Sequence, residues 1–193
     1  MGIAALGDHR RFEKLALPLL PRLVAFARRF SAVNAEDYVQ EAFARAFRSF
    51  AQVEDEGAVR SWLYRIVATV ASEDRRTSAR RRELLDLSQL ETRHEEVVAS
   101  GDPGPLEALL AALSAQRLRE ALDSLPDEFA QAVELHDLHE LKYREIAEVM
   151  ASPIGTVMSR ISRGRMLLAA IILSRAEEWN LPRGATIPRR EHR

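Results

Sequence analysis

Residues 143–162 read YREIAEVMASPIGTVMSRIS, and this stretch decides the fold of the second half of the chain. Apolar residues recur at helical spacing on both sides of a short Ala-Ser segment, which predicts a short helix, a tight turn and a second helix. Ser152 is placed to cap the second helix, and Pro153 fits its first position because no N–H is needed there. With Val157 and Ile161 facing inward, the pattern is typical of a helix-turn-helix.

The first half of the chain carries three further segments with apolar residues at helical spacing. They lie within residues 19–30, 38–50 and 62–70. Asn34 is placed to cap the second segment, with Asp37 at the third helical position in a capping-box-like arrangement. No comparable strand-like alternation occurs, so the chain is predicted to be all-α, and the three apolar stripes can close a compact bundle.

Gly and Pro residues separate the two groups of helices. The segment 101–105, Gly-Asp-Pro-Gly-Pro, breaks any helix, and an acidic stretch precedes it. We therefore expect two small helical domains joined by a flexible linker, the second domain containing the helix-turn-helix. The expected boundaries are 8–82 for the first domain, 83–112 for the linker, 113–179 for the second domain and 180–193 for a loose tail.

Composition excludes several classes of function. The 193 residues include no Cys, which excludes disulfides, thiolate metal sites and a cysteine nucleophile. No phosphate loop, nucleophile elbow or paired-carboxylate motif occurs, so neither an enzymatic reaction nor a cofactor is expected. His136 and His139 have a spacing that could hold zinc, but without a third strong ligand we interpret them as surface histidines and expect no metal. The longest apolar run, 166–173, is too short for a membrane span, so we expect no membrane insertion.

Charge is balanced over the whole chain but not locally. Lys plus Arg total 28 against 29 for Asp plus Glu, so only a local basic surface can attract nucleic acid. Five arginines lie within residues 75–82, directly after the third predicted helix, and they form either a solubilising run or a phosphate contact, which we favour. On that helix Trp62 is expected in the core, whereas Tyr64 and Arg65 are expected at the surface, where they could stack on unpaired bases and follow phosphates.

Two helix faces carry polar groups suited to partners. Asp37, Gln40 and Glu41 lie three and four residues apart and project together, either as a solvated face or as a docking surface for a basic helix. The second helix of the helix-turn-helix should expose arginines and small hydroxyl residues, which can contact base edges and phosphates in a major groove. These exposed residues are Thr156, Ser159, Arg160 and Arg163.

Two segments of the sequence resemble the two domains of an extracytoplasmic-function (ECF) sigma factor, a small bacterial transcription initiation factor of the sigma-70 superfamily. The first runs from Phe12 to Arg76 and includes NAEDYVQEAF at 34–43 and SWLYRI at 61–66. The second runs from Leu122 to Met166 and includes the helix-turn-helix. Together they cover most of the chain, in the family's order and with its linker length.

The resemblance implies a cytoplasmic, non-enzymatic subunit that directs core RNA polymerase to specific promoters and assists promoter opening. In the family, the first domain binds the beta-prime clamp helices and captures the −10 element as a single strand, while the second reads the −35 element and sits on the beta flap. An anti-sigma factor is the common further partner. The implied polymerase contacts are Asp37, Gln40 and Glu41. The implied −10 contacts are Tyr64, Arg65, Thr69, Arg75 and Arg76, and the implied −35 contacts are Arg144, Thr156, Ser159, Arg160 and Arg163.

The sequence departs from the family pattern at a few positions. Thr69 and Glu73 replace an Asn and an Asp, Met158 replaces a charged contact, and Ala151 replaces a turn glycine whose backbone favours positive φ. The loop 51–58, which in the family forms a pocket for a flipped base, is unusually acidic. These departures keep a second function open, that of a sigma-like protein that binds polymerase or an anti-sigma factor without initiating transcription.

Overall fold

The computed structural model describes residues 3–84 and 113–181, and all regular structure within these ranges is helical. The chain divides into two compact units, Met1–Thr92 with Arg144–Ser152, and Arg93–Tyr143 with Pro153–Arg193. The prediction of an all-α fold with two helical domains is confirmed. Most of the expected linker and tail lies outside the described residues, so the predicted boundaries stay predictions.

The first unit is built on four helices. They are α1 (Ile3–Ala16), α2 (Leu20–Ala27), α3 (Ala35–Ser49) and α4 (Val59–Leu84), with 3₁₀ turns at Leu17–Leu19, Phe50–Gln52 and Glu56–Ala58. Phe12 on α1 is buried and meets Phe43, Phe47 and Phe50 edge to face at centroid distances of 5.8, 5.5 and 5.1 Å, although Phe47 itself is partly open to solvent. Edge-to-face packing of this kind adds to the free energy gained by burying the rings.

Three details of the first unit differ from the sequence-based expectations. Helix α1 was not predicted, and α4 continues as one helix of 26 residues through the arginine cluster. Asn34 stands at the N-cap of α3, but its side chain makes no capping hydrogen bond. Its own N–H instead donates to Oγ of Ser31 over 3.1 Å, so the start of α3 is fixed by the preceding turn.

The second unit also consists of packed helices. It contains α5 (Ala115–Asp123), α6 (Asp127–Val133) with a π-helical turn at Glu134–Leu138, and α8 (Ile154–Ser174). Its apolar core includes Leu122, Val133, Leu168 and Ile172. Gly164 lets α6 and α8 cross closely, because a Cβ there would lie 2.6 Å from Cγ2 of Val133.

The predicted helix-turn-helix is present as α7 (Tyr143–Val149), a short turn and α8. Ala151 adopts φ 47°, a left-handed conformation, in that turn. The turn closes with the N–H of Ser152 donating to the carbonyl of Ala147 over 3.0 Å. Pro153, rather than Ser152, occupies the N-cap position of α8. The alanine thus tolerates the strain that the sequence predicted for a non-glycine residue at this point.

Candidate nucleic-acid interface

A depression on the first unit lies between α3 and α4. It has a volume of about 270 Å³ and is lined by Arg45, Ser49, Trp62, Arg65, Ile66 and Thr69. One indole ring, two guanidinium groups and two hydroxyls therefore border one shallow site. This combination can stack on an exposed base and pair with the phosphates that flank it.

The two aromatic residues of α4 have exchanged the places expected for them. Tyr64 is fully buried, with its ring 5.2 Å from that of Phe26 in an edge-to-face contact. Trp62 is only half-buried and lines the depression. The expectation that Tyr64 is a surface residue is therefore wrong, because the residue is fully buried. Trp62 is the aromatic side chain that the site presents.

The exposed polar residues of α4 form a stripe along the helix, which we call the α4 stripe. It comprises Arg65, Thr69, Ser72, Arg76 and Arg80, all exposed and spaced three or four residues apart. At 1.5 Å per residue the stripe is about 22 Å long, enough to follow several nucleotides of an extended strand. Arg75 is also exposed, but it lies about 80° around the helix from Arg65. The side chains of Arg81 and Arg82 lie outside the described residues.

Arg45 connects the depression to a chain of ion pairs. Its Nε donates to Glu41 over 2.8 Å, and its Nη1 donates to Glu73 on α4 over 2.7 Å. The hydrogen bond from Arg45 lowers the pKa of Glu41, and the bonds to Glu41 and Glu73 raise the pKa of Arg45. All three side chains are substantially exposed, so these pairs orient Arg45 more than they stabilise the fold.

The three residues expected to contact polymerase lie together on α3. Asp37 and Gln40 are exposed, whereas Glu41 is partly covered through its pairing with Arg45. Two arginines approach the Glu41 carboxylate. Nε of Arg45 lies 2.8 Å from Oε1, and Nη2 of Arg48 lies 3.8 Å from the same oxygen. The most accessible negative charge of this face is therefore Asp37.

The exposed side of α8 carries the residues expected there. Ser159 and Arg163 are exposed, Thr156 and Arg160 are partly buried, and Arg144 on α7 is exposed. Nη2 of Arg160 donates to Oε2 of Glu128, at the start of α6, over 2.5 Å. This contact orients the Arg160 guanidinium toward the start of α6.

The two histidines lie in different surroundings. Within residues 3–84 and 113–181, no group of three His, Asp or Glu side chains could hold a metal ion. The ring of His136 stacks on the ring of Tyr143, and Nδ1 of His136 lies 2.7 Å from Oδ1 of Asp137. His139 is buried, with Nε2 lying 3.7 Å from Glu134, so the interpretation of both as surface histidines is wrong for His139.

Sequence reasoning missed Arg45, Ser49 and Ile66 as lining residues, together with Glu128. For Arg45 a local signal exists, because Glu41 lies four residues earlier on the same helix. For Glu128 none exists, since its partner lies 32 residues away on another helix. Contacts of that kind depend on how helices cross.

Comparison with known proteins assigns both halves of the chain. Residues 15–81 match the family model described as Sigma-70 region 2, and residues 115–168 match Sigma-70, region 4. The ECF RNA polymerase sigma-E factor of Escherichia coli K12 is 31% identical over 165 residues, covering 82% of this chain and 85% of the relative. The RNA polymerase sigma-H factor of Pseudomonas aeruginosa is 31% identical over 167 residues, covering 82% and 84%.

Two solved structures are also similar. The sigma factor RpoE, crystallised with the anti-sigma factor NepR from Bartonella quintana, is 25% identical with a TM-score of 0.68, covering 85% of this chain and 98% of that one. CnrH, in complex with the cytosolic domain of CnrY, shares the fold at a TM-score of 0.58 and 22% identity, covering 89% and 93%. The chain belongs to the sigma-70 family of transcription initiation factors, as a member of its ECF group. In the described ranges, none of the helices combines the length and the hydropathy that a membrane span requires.

Proposed function

We propose that this sigma factor captures promoter DNA on two separate surfaces, one on each unit. The depression and the α4 stripe of the first unit hold the unpaired strand of the −10 element. The exposed side of α8 reads the −35 element. The protein acts in the cytoplasm as a specificity subunit of RNA polymerase and has no enzymatic activity of its own.

The observation that carries the proposal is the position of Trp62. A half-buried indole faces a shallow depression, next to two arginines and at one end of a stripe of exposed basic and hydroxyl side chains. A surface built to bind a folded protein domain would favour a larger apolar area, whereas an isolated ring between cations fits one unstacked base. The site therefore suits single-stranded nucleic acid better than duplex.

The docking surface for polymerase is assigned to Asp37, Gln40 and Glu41. An exposed acidic and amide face suits a basic helix, and the beta-prime clamp helices are the partner that the family resemblance suggests. The beta flap is assigned to the second unit on the same grounds. Both similar structures contain a bound protein, the anti-sigma factor NepR in one and the cytosolic domain of CnrY in the other. We include an anti-sigma factor among the partners.

In-vitro transcription with core polymerase on a library of promoter fragments tests the main proposal. Promoter-specific transcripts that depend on the protein support it. Binding to core polymerase without transcripts would instead support a sigma-like interaction protein. The Trp62→Ala variant should lose transcripts while keeping core binding, and Asp37→Arg with Gln40→Arg should lose core binding. Helical circular dichroism of each variant controls for folding.

A further inference from the structure

One arginine of the first helix reaches across to the loop between α3 and α4. Nε of Arg11 donates to Oε1 of Glu56 over 2.7 Å, and Nη2 donates to the carbonyl oxygen of Val53 over 3.1 Å. The guanidinium carbon lies 5.2 Å from the centre of the Phe50 ring, within range of a cation–π contact. A single side chain thus binds the loop at three points that are about forty residues away in sequence.

Arg11 spans the part of the loop that has no regular structure. Residues 53–55 belong to no helix, and Arg11 binds at the first of them, Val53, and at Glu56, which directly follows them. The second half of the loop is closed separately, because Oδ1 of Asp55 accepts from the N–H of Gly57 over 2.8 Å. At the start of the loop, the N–H of Val53 donates to the carbonyl of Phe50 over 2.9 Å.

The contacts of Arg11 are poorly suited to anchoring helix α1. The Arg11 side chain is 33% exposed and that of Glu56 is 55% exposed, and an ion pair so exposed contributes little to stability. The neighbouring Phe12 performs the anchoring, since it is buried and packs on three phenylalanine rings. Arg11 therefore acts on the loop through its combined contacts with Val53, Glu56 and Phe50, of which the exposed ion pair is only one.

The path of this loop bears on the candidate site. Val53, Asp55 and Ala58 lie beside Trp62 and Arg65, the two residues of the depression best suited to hold a base and a phosphate. A loop held at fixed distance from Trp62 limits which base can enter. A loose loop would accept several.

We propose that Arg11 is a positioning residue for the single-strand site: it fixes the loop 53–58 next to Trp62 and thereby sets which unpaired base the site accepts. This inference rests on the proposed function of the depression. It adds helix α1, which contributes no residue to the depression, to the determinants of base choice.

The test uses the holoenzyme assembled from core polymerase and the full chain. Dissociation constants are measured for single-stranded −10 oligonucleotides that carry each base substitution in turn. Arg11→Ala should lower discrimination by about threefold at one position or two adjacent positions, because a partly exposed ion pair and one hydrogen bond contribute modestly. Glu56→Ala, which leaves the Val53 bond in place, should give a smaller loss at the same positions.

Arg10→Ala is the matched control, because Arg10 is the exposed neighbour on the same helix. It should leave the pattern of base discrimination unchanged. Weakening of all oligonucleotides by the same factor in Arg11→Ala would assign Arg11 a structural role only, and an unchanged pattern would mean that the loop is held without it. Either result overturns the inference. If the wild-type holoenzyme itself shows no base preference, the proposed function fails instead.

Discussion

At the scale of single residues, the turn of the helix-turn-helix holds an alanine in a conformation that favours glycine. The φ of 47° at Ala151 costs a non-glycine residue roughly 1–2 kcal/mol. Ala151→Gly should raise the free energy of unfolding by about 0.5–1 kcal/mol, because part of the released strain is offset by the greater unfolded-state entropy of glycine. Urea denaturation followed by helical circular dichroism measures the change. Ala147→Gly, inside α7, is the control and should lower stability; a loss in both variants would mean that Ala151 is unstrained.

A second residue-scale prediction concerns the hydrogen bond between α3 and α4. The hydroxyl of Tyr38 donates to Oδ2 of Asp74 over 2.7 Å, and burial together with this bond raises the pKa of Tyr38 above 10.0. Tyr38→Phe should cost about 1–2 kcal/mol of unfolding free energy near neutral pH, since a carboxylate loses its donor.

The pH dependence of this cost follows from the direction of the pKa shift. A tyrosine with a raised pKa in the folded state contributes its full stability below pH 10, and this contribution is lost as pH rises through the folded pKa. The difference in unfolding free energy between wild type and Tyr38→Phe should stay constant up to pH 10 and decrease above it. A difference that grows with pH would contradict the assignment. Tyr143→Phe, at an exposed tyrosine, controls for the loss of a hydroxyl alone.

At the scale of elements, two glycines of one helix are expected to respond in opposite ways. A Cβ on Gly164 would lie 2.6 Å from Cγ2 of Val133 and 3.0 Å from the carbonyl oxygen of Phe129, whereas a Cβ on Gly155 would meet nothing within 4 Å. Gly164→Ala should therefore destabilise the second unit by about 1–3 kcal/mol through overpacking. Gly155→Ala should stabilise it by up to about 1 kcal/mol through helix propensity. Thermal unfolding of both variants measures the two effects. Equal shifts in melting temperature would mean that α6 and α8 are not in close contact at Gly164.

A second prediction at this scale concerns the α4 stripe. Arg76 lies on the stripe and Arg75 lies about 80° away from Arg65 around the same helix, although both are exposed. Arg76→Ala should reduce the slope of log affinity against log salt by about 0.7 for single-stranded −10 DNA bound to holoenzyme, the effect of one lost phosphate contact. Arg75→Ala should change the slope much less. Equal effects would indicate a diffuse basic surface in place of an ordered stripe.

The amount that could be predicted from sequence depended on the kind of contact. Helical periodicity predicted α2 to α4 and the helix-turn-helix, because it reports which residues share a helix face. It could not assign Tyr64 and Trp62, since α4 packs against more than one neighbouring helix and the broad buried side includes Tyr64. Periodicity does not reveal how many neighbours cover a helix, and both aromatics have an apolar ring and a polar group that suit either environment.

The same limit applies to the candidate sites. The spacing on α8 placed Ser159 and Arg163 correctly at the surface, yet it gave no sign of the Glu128 carboxylate that holds Arg160. Likewise, nothing local to Arg11 indicates that it reaches Val53 and Glu56. Residues that bind within one helix can be found from sequence, whereas residues that connect helices require their crossing geometry.

At the scale of the whole molecule, charge decides how the protein finds DNA. The formal net charge is −1, so the isolated chain has little long-range attraction to a polyanion. Carboxylates also form ion pairs with arginines of both candidate surfaces. Glu41 and Glu73 pair with Arg45, and Glu128 pairs with Arg160. Each surface therefore offers only a few uncompensated cations.

The isolated chain should accordingly bind duplex promoter DNA weakly and become specific only within the holoenzyme. Polymerase that holds both units at once converts two weak contacts into a strong one, because the second contact then forms at high effective concentration. Fluorescence anisotropy at near-physiological salt, with and without core polymerase, measures both states. Glu128→Gln should raise the duplex affinity of the free chain only slightly, since a single phosphate contact changes affinity modestly. Sequence-specific nanomolar binding by the free wild-type chain would contradict this account and assign promoter recognition to the chain alone.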